Sequence, residues 1–187
     1  MVIFMNTKTR GVILNIVYSG LLIAIGILLP QLFHVFGPAA GKTFLPMHIP
    51  VLLAGFLVGP LYGLGVAILV PILSSVITGM PPVPMLYFML FELVTYAVVA
   101  GILYKKLKLN LYVALIGAMI CGRLIYGLSL VVVVNLLGMT FPFTNVVAFF
   151  GSMSTGIPGI IIQIVVVPPL IFALKKGGLI IANRATN

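Results

Sequence analysis

The chain has 187 residues, of which 63% are hydrophobic and 6% charged, and its ten Lys and Arg face a single acidic residue, for a formal charge of +9. A mean hydropathy of +1.36 excludes a soluble globular protein and identifies an integral membrane protein. The apolar stretches run to the roughly 20 residues a helical span needs, whereas a membrane barrel would alternate polar and apolar residues in shorter segments.

The first predicted span covers about 11–33, with Lys8 and Arg10 before it. It is too long for the apolar core of a cleaved leader, roughly 7–15 residues, and no Ala-x-Ala-like site follows, so it is expected to remain as a helix. The second, about 47–58, is unusually short and is stopped by Gly59-Pro60. The third covers about 61–78, and residues 79–84, with Pro81, Pro82 and Pro84, form a stiff connector. The fourth covers about 85–104, Lys105, Lys106 and Lys108 close it, and the fifth covers about 109–137. A longer loop begins at Gly138, and the sixth span covers about 155–174. The expectation is an all-α bundle of six transmembrane helices in one membrane domain, 1–187. The single Cys121 excludes a disulfide framework and reads as a packing residue.

The positions of the cations set the orientation. With six spans, Lys8, Arg10, Lys105, Lys106, Lys108, Lys175, Lys176 and Arg184 all fall on one side, so both termini are expected in the cytoplasm. Lys42 would lie outside. The basic excess is thus a topological signal and does not point to nucleic acid.

Two charges remain inside the membrane: Glu92, the one acidic side chain, and Arg123. An ionisable group there costs roughly 2.5–3.5 kcal/mol on insertion scales and is a functional-site candidate. Counted from the cytoplasmic lysines at 1.5 Å per residue, both lie about 20 Å above the inner boundary and Gln163 about 18 Å. Tyr96 follows Glu92 at i+4 and Tyr126 follows Arg123 at i+3, so each charge has an aromatic hydroxyl on its own helix face. The group reads as a small polar pocket open to the outside. A buried pair that only fixes helix packing is the competing reading, and breaking such a pair costs about 3–5 kcal/mol. For Gln163 an interhelical hydrogen bond competes with ligand contact.

The remaining chemistry is sparse. No phosphate-loop motif is present, so ATP hydrolysis is not expected of this chain. Ion-coupled carriers use several intramembrane carboxylates, and only Glu92 is available. There is no carboxylate pair for acid–base catalysis and no metal-ligand spacing, since His34 and His48 stand far apart. No cofactor is implied. What is left is a small membrane binding protein driven by a partner.

Three motifs carry a resemblance: the stretch 37–60, which contains Leu45-Pro-Met-His-Ile-Pro-Val-Leu-Leu-Ala-Gly-Phe56; the Gly-x-Gly at 63–65; and Pro71-Ile-Leu-Ser-Ser-Val-Ile-Thr-Gly-Met-Pro-Pro82. With the length, the six spans and the long loop after the first, the chain resembles the substrate-binding S component of an energy-coupling factor (ECF) vitamin transporter. The resemblance implies capture of a vitamin from outside a bacterial cell. It implies docking on a shared module of one transmembrane coupling subunit and two cytosolic ATPases, with the S component toppling in the membrane. Members carry a small-x-x-x-small face on the first helix. Gly20 and Ala24 fill that role here, while Leu28 departs from a triple repeat.

The resemblance also maps the site to Phe44, Met47, His48, Met80 and Pro81–Pro84 near the mouth, and to Glu92, Tyr96, Arg123, Tyr126, Asn135 and Gln163 within. Lys42 and Thr144–Asn145 would form a lid. The stretch from Leu45 is most like members assigned to pantothenate, or to pyridoxine or hydroxymethylpyrimidine. Pantothenate would place its carboxylate on Arg123. A pyridine or pyrimidine would use Glu92 as acceptor and aromatic rings for stacking. The absence of Trp disfavours a large flat ligand. A facilitator that works without an ATPase, and a structural membrane protein, are the readings from other classes.

Overall fold

A computed structural model describes residues 7–37, 39–137 and 154–177. Seven helices follow in order: α1 (Thr7–His34), α2 (Ala40–Phe44), α3 (His48–Leu57), α4 (Pro60–Thr78), α5 (Met85–Gly101), α6 (Leu111–Leu137) and α7 (Ile157–Lys176). A π-helical turn, Ile102–Lys106, extends α5. Among the described residues there is no strand. Among the described residues, six helical segments are long and apolar enough to cross a membrane.

The second span departs from expectation. It runs Ala40–Leu57 rather than starting near Met47, and it is not short. It is two helices, α2 and α3, separated at Leu45, which adopts a left-handed backbone with φ 49°. Leucine seldom visits that region, so the sequence carries no Gly or Asn signal of the break. The other bounds agree within a few residues. Asn110, not Leu109, sets the start of α6, its Oδ1 accepting the Tyr112 N–H at 3.0 Å in an N-cap.

Helix α3 is the centre of the bundle. Val51, Leu52, Ala54 and Phe56 are wholly buried, and α1, α4, α5 and α7 all pack on it. Small residues make this possible: a Cβ at Gly55 would lie 2.5 Å from the Ala97 carbonyl oxygen, so the α3 and α5 backbones touch. Where lipid removes the hydrophobic drive between helices, such close approach supplies the attraction through van der Waals contact. At the far end of α3 the Lys105 ammonium donates to the Leu57 carbonyl, one of the acceptors a helix end leaves open. Nearby, Lys175 lies 4.7 Å over the Tyr104 ring, which meets Phe56 edge-on at 5.3 Å. Cations from α5 and α7 therefore share one end of the bundle.

Helix α1 is different. It is apolar on every side, and Ile16, Val17, Leu21, Leu28 and Leu32 are all exposed at the surface of the bundle, a pattern expected of a helix that faces lipid or a partner.

Candidate functional site

Helices α5 and α6 approach closely at Gly122, where a Cβ would run into the Tyr96 ring. This contact sets Arg123 beside Glu92: Arg123 Nη1 lies 3.1 Å from Glu92 Oε1, with side-chain exposures of 11% and 3%. On the other side, His48 Nε2, at the first residue of α3, is 3.5 Å from Glu92 Oε2. The one acidic side chain thus lies between a guanidinium and an imidazole from two different helices. Tyr96, wholly buried, meets His48 edge-on at 5.5 Å. Its hydroxyl is within electrostatic reach of both Glu92 and Arg123.

The guanidinium is only partly used. Arg123 Nε and Nη2 are buried and, among the described residues, have no hydrogen-bond acceptor in good geometry. Leaving such donors unpaired is costly. Arg123 lines a cavity of about 100 Å³ together with Glu92, Tyr126, Thr155 and Lys42. A second cavity of about 190 Å³ is walled by Met47, Met80, Met85, Met89 and the prolines Pro30, Pro46, Pro81 and Pro82. Lys42, Leu45, Met85 and Met89 line both, so the two adjoin across these side chains as an apolar and a polar lobe.

The walls are held from the backbone outward. Ser74 and Ser75, at the end of α4, donate their hydroxyls to the Met80 and Pro81 carbonyls at 2.8 and 2.9 Å. The prolines cannot donate, so side chains from α4 fix the connector that closes the apolar lobe. On the opposite wall Gly159 of α7 abuts Phe44 and Leu45.

The structure places the expected residues unevenly. Glu92, Arg123 and Tyr126 line the polar lobe, and Met47 and Met80 the apolar one. His48 joins through Glu92. Tyr126 also meets Phe88 edge-on at 6.2 Å. Gln163 is wholly buried, one turn below Gly159, and its amide has no hydrogen-bond partner among the described residues. Phe44 does not line either lobe and instead packs on Phe33 at 5.5 Å. Gly20 and Ala24 lie exposed on α1, one turn apart. The side chain of Asn135 and the whole of Thr144–Asn145 lie outside the described residues. Sequence reasoning passed over Met85 and Met89. They precede Glu92 and Tyr96 on one helical face, at i, i+4, i+7 and i+11, a period that could have revealed them.

The fold and this recess define a six-span helical membrane protein built around a buried ionic cluster. The model of the ECF transporter substrate-specific component family matches residues 14–171, and the chain belongs to that family. Neither the curated proteins nor the solved structures compared with the chain gave a match. Membership makes it a substrate-binding transport subunit rather than an enzyme. It associates with an ECF module and is a multi-pass protein of the bacterial plasma membrane.

Proposed function

We propose that the chain captures pantothenate from outside the cell and delivers it through an ECF module made of one transmembrane coupling subunit and two ATPases. The observation that carries the choice of ligand is that Arg123, whose guanidinium keeps donors without an acceptor among the described residues, lines the polar lobe together with Lys42. A planar guanidinium edge suits a carboxylate bidentately. Lys42 adds a second positive charge against the one negative charge of Glu92. The two lobes together come just below the roughly 300 Å³ at the lower end of small-ligand pockets, which favours a compact solute over a large flat one. Both termini then face the cytoplasm, with the recess opening outward. Gly20 and Ala24 present the face of α1 to the coupling subunit.

Pyridoxine or hydroxymethylpyrimidine draws less support. Such a ring would stack on Tyr126 in the polar lobe, but it would leave the Arg123 guanidinium there without an anion.

Calorimetric titration of the detergent-purified chain with pantothenate, then with pyridoxine, tests the reading. Tight pantothenate binding is expected, falling about 100-fold or more in Arg123→Ala because a charge-assisted pair is lost. Tight pyridoxine binding without pantothenate binding would overturn it. In vesicles, the chain alone should move no pantothenate, and uptake without ATPase subunits would favour a facilitator instead.

A further inference from the structure

The lobes of the recess differ in chemistry. One is lined by Arg123, Glu92 and Lys42, and the other is a wall of thioethers and proline rings. We propose that the recess reads a small amphipathic carboxylate end-on, with the carboxylate on the Arg123 guanidinium and the branched aliphatic part among Met47, Met80, Met85 and Met89. This assignment rests on the anion-binding reading above and adds the direction of the ligand and the residues that select its far end.

The reverse placement is physically poor. It would set an anion among methionines and prolines that offer no strong donors, and it would leave the charged guanidinium of Arg123 against hydrocarbon. In the proposed direction the carboxylate meets the guanidinium and the geminal methyls meet the thioethers, while the hydroxyls beside those methyls turn to Lys42. Methionine is unbranched and polarizable, so four of them can close around a branched group that a rigid wall would not fit. Met89 and Glu92 lie one turn apart on α5, so a ligand touching Arg123 with one end reaches the methionines with the other. Lys42, which lines both lobes, stands at their junction beside any oxygen in the middle of the ligand. The bonds from Ser74 and Ser75 fix the backbone behind Met80 and Pro81, and the methionine side chains adapt to the group they enclose.

A cycle of ligand and protein changes tests the direction, read by calorimetry with melting temperature alongside. The ligands are pantothenate, its analogue without the two geminal methyls, and its analogue with an alcohol for the carboxylate. The proteins are wild type, Met89→Ala, Met80→Ala at the more exposed edge of the wall, and Arg123→Gln. In wild type, loss of the methyls should weaken binding about tenfold or more. In either Met variant that penalty should shrink to about threefold or less, while the penalty for the alcohol is unchanged. In Arg123→Gln the alcohol penalty should vanish and the methyl penalty remain. Swapped couplings, or a methyl penalty untouched in both Met variants, would overturn the direction while leaving pantothenate as ligand. N-pivaloyl-β-alanine, a bare carboxylate joined through an amide to a branched end, separates the two readings. If it binds with the same couplings while pantothenate does not, the vitamin is wrong and the direction stands. Binding of neither compound overturns both.

Discussion

Neutralising Glu92 should be among the most damaging conservative changes available in this chain. Glu92→Gln keeps the shape but removes the only negative charge facing Arg123 across 3.1 Å, in surroundings where both side chains are almost fully buried. Unit charges about 4 Å apart attract by ~4 kcal/mol at an effective dielectric of ~20, and stripping one member of a buried pair typically costs about 3–5 kcal/mol. Arg123→Gln should cost less, because His48 Nε2 stays 3.5 Å from the remaining carboxylate. The double variant should be no worse than Glu92→Gln alone, giving a coupling of about 2–3 kcal/mol. The assay is reversible unfolding in mixed dodecylmaltoside and SDS micelles, followed by circular dichroism. A Glu92→Gln loss below about 1 kcal/mol, or strict additivity of the two singles, would refute the view that the pair is energetically coupled.

Two further outcomes follow from the packing. Gly122→Ala should push the Tyr96 ring away from α6, lowering stability by about 1–3 kcal/mol as overpacking does. It should also weaken ligand binding, and melting and titration of the same sample check both. Replacing Gly20 and Ala24 together by Leu should leave melting within about 0.5 kcal/mol of wild type, since both are exposed. Co-purification with an ECF module should be lost, and a variant that still assembles would remove this face of α1 from the docking surface.

The ionic core of the site was legible from counting alone. The 1.5 Å helical rise put Glu92 and Arg123 at one depth, and the structure brings them into contact. The same arithmetic put Gln163 in that layer; the structure buries it, and it lines neither lobe. His48 was harder to read. A lone histidine near a span boundary looks like a satisfied polar residue, and its contact with Glu92 depends on α3 beginning beside α5. That geometry follows from a left-handed Leu45, which no local rule of leucine anticipates. The methionine wall was legible and unread: its period on α5 is plain in the sequence, but apolar residues on a membrane helix carry no label that separates lipid, core and cavity. Phe44 shows the limit of mapping by position, since it sits near the mouth yet turns toward Phe33.

The break at Leu45 has an electrostatic consequence. Because the second span is interrupted there, a helix begins at the depth of Glu92 where an unbroken span would have placed a helix middle. His48 is the first residue of α3, so the aligned peptide dipoles of α3 end at the recess with a partial charge of roughly +0.5. Half-helices that start inside a membrane direct this end at anionic groups in other transport proteins. Here the backbone of α3 adds a fixed positive field to the side chains of Arg123 and Lys42. That field needs no proton and no rotamer, and it is present before any solute arrives.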